Sequence, residues 1–540
     1  MKKALKMGKV SFTGSFQLFI GKTVSTVILA VGTIILGIFI LEGDYGLYAI
    51  ALIPATTMLL FQDWGIGSAM TKYCAHYRVL NKDGELRKVI VAGLTFQVAT
   101  GLALTVLSLL MANSIASTIF GNPESALLIT LASITILSTA LIVASQSVFV
   151  GFERMGLTSL LMICYAIAQS MLSPLLVYLG YGALGAILGY TISSIAAGVM
   201  AVTMLYFAIF RKLAPQNTNK SEISQTLRIM LRYGIPLAIG AILAGLLAQF
   251  YAFMMASFVD LALIGNYRIA INFAILLTFF TMPIGTVLFP AFSKLNPQNE
   301  QQLLQTVFKS SVKYTALFLV PATMALMVLA KPVIGTIYGD KWLYAPFFLA
   351  LYVISNLFAI FGTFSRGNLL AALGETKLLM KLNILTLFIG VPLAFLLIPQ
   401  FGIIGVIVVT LVAGIPSMFI SLHWAWKRYG AKIDFKASAK IFLASATAGT
   451  ATYLFLNILN TANWVLLATG MALFLAIYLT TAPLIGAINQ KDVDNLRSMF
   501  SGLGIISKIL EIPLVLVQKV LNLRSNSGNQ FSPATEKSLP

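Results

Sequence analysis

Few residues in this chain could do chemistry, and each is conspicuous because its surroundings are apolar. Lys22 lies about nine residues into an apolar run, or ~13 Å at 1.5 Å per helical residue, which is far for its stem to reach an interface. An ionised group at the centre of a membrane helix costs ~2.5–3.5 kcal/mol on insertion scales, so a group kept there is a functional candidate by default. Thr26, one turn on, and Ser15, two turns before, continue a polar stripe through Lys22. Arg268 has Asn272 one turn deeper on the same face, a pair able to grip an anion, and Gln249 offers further hydrogen-bonding groups. Lys22, Thr26, Gln249, Arg268 and Asn272 are therefore the candidate substrate-binding residues. Asp63, between Gln62 and Trp64, is the one carboxylate inside an apolar run and the candidate for a coupling cation. Each has a plainer alternative. Lys22 reaches inner headgroups, Arg268 meets outer ones, Gln249 packs one helix on another, and Asp63 pairs with Lys72 or a loop arginine.

Soluble-enzyme constellations are missing. The sequence contains no P-loop, which argues against ATP hydrolysis by this chain. His76 and His423 have no Cys or carboxylate cluster beside them, and Cys74, read as part of a basic loop, and Cys164 lack metal-ligand spacing, so no metal, cofactor or disulfide is expected.

The elements that must position these residues follow from composition. Of 540 residues 59% are hydrophobic and 10% charged, a balance suited to lipid as solvent. Apolar runs of ~20 residues, the length of a spanning helix, recur from Gly14 almost to Ile488. They predict an all-α polytopic membrane protein with about fourteen spans, the second covering 46–70 and the eighth 264–292. With the N-terminus inside, the segments on the cytoplasmic side hold all but four of the 36 Lys and Arg. The exceptions are Lys22, Arg268, Lys331 and Lys341. Both termini are thus expected in the cytoplasm, and the net charge of +19 marks topology and not a nucleic-acid partner. The lysine-rich start leads into a long apolar run and is expected to be retained as the first span, not removed as a signal peptide. Tyr45, Tyr48, Trp342, Tyr344, Trp424 and Trp426 are expected as aromatic-belt anchors. Prolines fall inside several spans, Pro283 among them. The stretch Leu496–Leu523 is too interrupted to span and is expected to lie on the membrane surface, with disorder from Ser525.

A duplication organises the spans. Gly46-Leu47-Tyr48 matches Gly265-Asn266-Tyr267 at an offset of 219, and Ile119-Phe120-Gly121-Asn122 matches Ile337-Tyr338-Gly339-Asp340 at 218. Gly182 and Gly185 match Gly402 and Gly405 at 220. Six spans, an even number, separate the copies, so the halves enter the membrane in the same direction. The expected domains are a first six-helix bundle over 1–210, a linker over 211–229 and a second pseudo-symmetric bundle over 230–427. An additional helix pair over 428–488 and a cytoplasmic tail over 489–540 complete the chain. Duplicated bundles of this kind are a transporter architecture.

The sequence resembles the polysaccharide flippases of the Wzx type, in the multidrug, oligosaccharidyl-lipid and polysaccharide exporter superfamily, over about residues 10–490. The resemblance rests on Gly43-Asp44-Tyr45-Gly46-Leu47-Tyr48, Asp63-Trp64-Gly65-Ile66-Gly67 with Lys72-Tyr73, Tyr233-Gly234-Ile235-Pro236, and Ile337-Tyr338-Gly339-Asp340. It implies movement of a polyprenyl-(di)phosphate-linked oligosaccharide across the cell membrane, driven by an ion gradient (H+ or Na+) or membrane potential instead of ATP. It also implies membrane lipid and glycan-assembly enzymes as partners. A diphosphate would need cationic partners such as Lys22 and Arg268. The alternatives are a cation-coupled multidrug exporter of the same superfamily and a membrane glycosyltransferase or polymerase. The latter class would ordinarily bring an acidic cluster and a large outer loop, and neither is present.

Overall fold

Helices are the natural outcome of such runs, because a segment in hydrocarbon must satisfy its own N–H and C=O groups. The computed structural model describes residues 2–214, 220–277, 288, 291–500 and 505–530, and among them every regular element is helical. In chain order these are α1 (Lys2–Phe39), α2 (Glu42–Leu60), α3 (Ile66–Val79), α4 (Asp83–Ser114), α5 (Ser125–Gly151), α6 (Met155–Leu176), α7 (Gly182–Ala208), α8 (Lys220–Phe258) and α9 (Leu261–Ala274). They continue with α10 (Gln301–Val328), α11 (Ala330–Tyr338), α12 (Ala345–Tyr352), α13 (Thr363–Ala372), α14 (Thr376–Phe401), α15 (Ile403–Ala413) and α16 (Ile415–Tyr429). The last four are α17 (Phe435–Ile458), α18 (Asn463–Leu484), α19 (Gln490–Phe500) and α20 (Ile505–Gln530).

Among the described residues, by length and composition eleven helical stretches can cross a membrane, or twelve if the pair Ala345–Phe361 and Thr363–Ala372, bent by 58°, is one span. That is fewer than the fourteen expected. One of the eleven, Met155–Lys212, is 58 residues long, too long for a single pass, and it doubles back at Gly180 and Gly182, whose φ values are +94° and +50°. The far part of the expected eighth span, with Pro283, lies outside the described residues. So do residues 215–219 of the linker and 531–540 of the tail.

The duplication read from three short matches recurs in the backbone. Gly182 sits at φ 50°, ψ −134° and its counterpart Gly402 at φ 55°, ψ −126°. That region is essentially closed to residues with a Cβ, so the same glycine serves the same turn in both copies. Gly121 and Gly339 likewise share a positive φ, at 60° and 64°.

Contacts divide the chain into two compact units, residues 1–272 with 383–414, and residues 273–382 with 415–540. In the first, α1 lies along α6 through small residues. A Cβ on Gly21 would collide with Ser159, and one on Gly32 with Ser170. The two serines donate hydrogen bonds to the carbonyls of Gln17 (2.8 Å) and Ile28 (2.9 Å). In the second, Phe292, Phe308 and Leu369 form a core under α10 and α13.

Several expectations need correction. The second span is not continuous over 46–70. It stops at Leu60, and a turn at Gln62–Gly65 with positive φ at Trp64 (48°) and Gly65 (75°) leads into a separate α3. Cys74 is not in a loop but buried in that helix, where burial pushes its thiol up to about 12 and leaves it unreactive. Tyr45 and Trp342 are not interfacial anchors, being only 3% and 1% exposed. The tail is helical through Gln530, past the expected onset of disorder at Ser525. It is also docked on the second unit: Val493, Leu496, Leu514 and Val517 are buried, Asp492 meets Lys313 at 2.5 Å, and Asn495 donates to Tyr314 at 2.9 Å.

Candidate functional site

The polar interior of the first unit is built where α2 and α9 cross. A Cβ on Gly46 would overlap the carbonyl of Leu261, and a Cβ on Gly265 would overlap that of Glu42. Gly46 and Gly265 are counterparts in the duplication, and so are Glu42 and Leu261, so the contact is reciprocal, as a pseudo-two-fold relation between two helices requires. The absence of side chains there lets the backbones approach, and Asn266 locks the crossing with a 3.1 Å hydrogen bond to Glu42 Oε2.

The next turns of both helices take their register from that crossing. Asn272 Nδ2 donates to Tyr45 Oη at 2.8 Å, and Arg268, one turn earlier on α9, is close enough for its charge to act on Tyr45 and Tyr48. Arg268 is half-buried and makes no ion pair among the described residues. Tyr45 and Tyr48 are stacked, with centroids 5.9 Å apart. Beyond them the hydroxyls of Tyr190 and Tyr165 engage each other, and Tyr190 also engages Thr135. One guanidinium thus faces a row of neutral hydroxyl and amide groups. Chemically, this is a place where an anion can be held among hydroxylated neighbours.

Arg268 and Asn272 lie one turn apart on α9, as their spacing implied. Sequence reasoning did not find the tyrosines as interior groups. Tyr45 and Tyr48 are three residues apart within the Gly43–Tyr48 motif, which was a signal of a shared helix face.

The other candidates stand elsewhere. Lys22 is exposed on α1, and Thr26 donates to its carbonyl at 2.8 Å. The same face of α1 carries Thr33, which lines a small pocket with Tyr48, Gln169 and Ser173, so the Lys22 stripe leads toward the tyrosine row. No described contact joins Lys22 to Arg268. Gln249 accepts hydrogen bonds from Thr56 (3.3 Å) and Thr57 (3.1 Å), tying α8 to α2.

Asp63 does not pair with Lys72. Its Oδ1 accepts from the Gly67 backbone N–H at 2.8 Å and from Gln97 Nε2 at 2.5 Å, while Gln97 is bonded in turn to Gln62. The carboxylate caps the start of α3 after the break in the second span, where the helix presents free N–H groups and positive potential. Lys72 instead places Nζ 3.9 Å from the centroid of the Tyr233 ring. Gly65 and Gly234 meet backbone to backbone beside it. Two of the motifs quoted for the family resemblance are therefore the two sides of one joint.

The second unit holds a groove of about 370 Å³, lined by Leu317, Pro321 and Ala325 of α10, Phe474 of α18, and Leu514 and Val517 of α20. Tyr478 turns its hydroxyl away to the carbonyl of Leu317 at 2.9 Å, leaving the wall hydrocarbon. Among the described residues there is no group of His, Cys, Asp and Glu able to hold a metal ion.

The fold is that of the transporters of the MOP superfamily. A lipid II flippase, MurJ, in an inward closed conformation matches at a TM-score of 0.69 and 16% identity, over 86% of this chain and 98% of its own. An inward-facing multidrug resistance transporter of the MATE family matches at 0.60 and 15%, over 76% and 98%. Residues 35–346 match the family described as polysaccharide biosynthesis protein, and the chain belongs to that family. Relatives include a probable low-salt glycan biosynthesis flippase of Haloferax volcanii, 20% identical over 46% of this chain and 53% of its own. The lipopolysaccharide biosynthesis protein WzxC of Escherichia coli is 28% identical over 44% and 48%. The chain spans about half the length of these two relatives.

Proposed function

We propose that this protein is a flippase carrying a polyprenyl-(di)phosphate-linked oligosaccharide across the cell membrane by alternating access, with an ion gradient or the membrane potential as driving force. The observation that carries the reading is the arrangement around Arg268: one cation, Asn272 and a row of tyrosine hydroxyls inside the first unit. A diphosphate is best held by such charge-assisted donors away from water. The apolar groove of the second unit supports the lipid half of the same substrate, since its size and hydrocarbon wall suit a prenyl chain. Lys22, Thr26 and Gln249 are assigned to the path of the headgroup, and Asp63 to a coupling cation, H+ or Na+. The proposed organisation is a pair of duplicated bundles, 1–210 and 230–427, with the helix pair 428–488 added to the second, and with both termini cytoplasmic. Glycan-assembly enzymes are the expected partners. Catalysis by the chain is not part of the proposal.

The experiment is reconstitution into liposomes holding labelled lipid-linked oligosaccharide. Label should become accessible on the opposite leaflet without ATP, and Lys22→Ala should abolish that transfer while leaving membrane insertion intact. Hydrolysis of the label, or sugar transfer, would turn the assignment toward an enzyme. Unchanged rates in the variant would remove Lys22 from the path.

A further inference from the structure

A polar cavity of about 220 Å³ lies in the first unit where the end of α3 meets the starts of α4 and α8, and Arg268 is not part of its lining. One wall is aromatic. Tyr73 and Tyr77 line it, stacked with centroids 6.3 Å apart, and Tyr233, outside the lining, meets Tyr73 edge-on at 6.2 Å. The facing wall is polar and held in place: Lys88 Nζ sits 2.9 Å from both Glu85 Oε1 and Glu222 Oε2, with Gln225 beside them.

The ion-pair triad alone could be a staple between α4 and α8. A staple needs no cavity and no aromatic wall opposite it. Rings facing carboxylates and an amide across a small open space fit a sugar: the C–H face of the pyranose packs on the tyrosines, and its hydroxyls donate to Glu85 and Glu222 and accept from Gln225. The volume lies below the ~300 Å³ at which drug-sized pockets begin, a size suited to a single sugar residue. Lys88 offsets one of the two carboxylates, so the lining carries one net negative charge and disfavours a phosphate.

We propose that this cavity is a docking site for a neutral sugar residue, distinct from the site that holds the phosphate. Glycan would be recognised here by its ring faces and hydroxyls while Arg268 serves the charged linkage. The assignment to a transported glycan rests on the flippase reading. Sugar binding itself does not.

Saturation-transfer NMR on the full chain in nanodiscs tests it, with maltose, lactose and N,N′-diacetylchitobiose as probes at millimolar concentration. At least one should receive saturation on its ring protons, and Tyr77→Leu should reduce the signal at least fivefold. Gln225→Ala, a change at an exposed position that leaves the Lys88 triad whole, should reduce it about threefold, and this keeps the test decisive if Tyr77→Leu does not fold. Tyr453→Leu, at an exposed tyrosine on α17, should leave the signal intact. No transfer to any of the three sugars overturns the proposal, as does equal transfer in the folded Tyr77 and Gln225 variants. Lipid-linked oligosaccharide crossing liposomes in the absence of sugar binding would sink the cavity and spare the flippase. Sugar binding with no crossing would do the reverse.

Discussion

In the first unit, Tyr45, Tyr48, Tyr165 and Tyr190 share the interior with Arg268 and Asn272, and an amide network joins Gln62, Gln97 and Asp63. In the second unit the buried hydroxyls of Ser311, Thr315 and Thr323 bond back to carbonyls of their own helix, and the carboxylates of the ion pairs sit at helix starts. Lys309 meets Asp434 at 2.8 Å, Lys313 meets Asp492 at 2.5 Å, and Glu375 takes Arg428 at 2.9 Å, while the groove beside α10 is walled by hydrocarbon. Buried hydroxyl and amide rows are costly unless every member is satisfied, so a unit that keeps them has a use for polarity inside. Charge pairs at helix ends fix where segments stop and dock. On the proposed function, headgroup handling would fall to the first unit and chain handling to the second.

The largest effect should come from destroying the crossing that sets up the polar row. Gly46→Val puts methyl groups onto the Leu261 carbonyl, and the helices must part to admit them. Overpacking of this kind costs ~1–3 kcal/mol and occasionally more. Gly43, with open space around it, is the internal control, and Gly43→Ala should be silent. Thermal unfolding in detergent should show a clear drop for the first and none for the second. Equal melting temperatures would remove the crossing as the organiser of the site.

A smaller effect, on transport and not folding, should separate the two units. Arg268→Ala should slow translocation of a lipid-linked diphosphate substrate by at least tenfold, the loss expected when a charge-assisted bond of ~1.5–3 kcal/mol goes. Ala322→Trp, which fills part of the apolar groove, should slow a long-chain prenyl substrate more than a short-chain analogue. Arg268→Ala should slow both alike. If the groove variant ignores chain length, the division of labour fails.

Asp63→Asn sharpens the reading of the first unit further. The amide oxygen can still accept from the Gly67 N–H, so stability should fall by no more than ~1 kcal/mol. A coupling carboxylate, by contrast, cannot be replaced by an amide. Translocation that depends on a proton or sodium gradient in the wild type and no longer does in Asp63→Asn would support the coupling role. Unchanged gradient dependence would leave Asp63 as a helix cap only.

Legibility in the sequence depends on which forces act locally. Helical content, the duplication and the shared face of Arg268 and Asn272 are written in spacing, because periodicity and glycine conformation are local properties. The break after Leu60 was hidden by Ile66, Ala69 and Met70, which keep the run apolar across a turn that Gly65 and the Asp63 cap impose. Tyr45 and Trp342 look alike at a membrane boundary and inside a bundle, since an aromatic ring with a polar tip suits both. The docking of the tail depends on Lys313 and Asp492, 179 residues apart, and no local pattern announces such a pair.

The smallest effect tests the helix-end pins of the second unit. Lys309 beside Asp434, and then the Ala437 N–H, hold that carboxyl below its ordinary value. A folded-state value lowered in this way contributes stability that is fully present above the unfolded carboxylate value of about 3.9 and is lost as pH falls through the folded one. The pin is partly exposed, so its worth is ~0–1 kcal/mol and fades with salt. Asp434→Asn keeps the cap on α17, because asparagine caps as well as aspartate, and loses only the pair with Lys309. Melting at pH 7 and low salt should fall slightly in the variant, the gap should close as the pH falls below the ordinary carboxylate range, and added salt should close it at pH 7. A gap that persists in acid would mean the cap, not the charge, is what holds α17 in place.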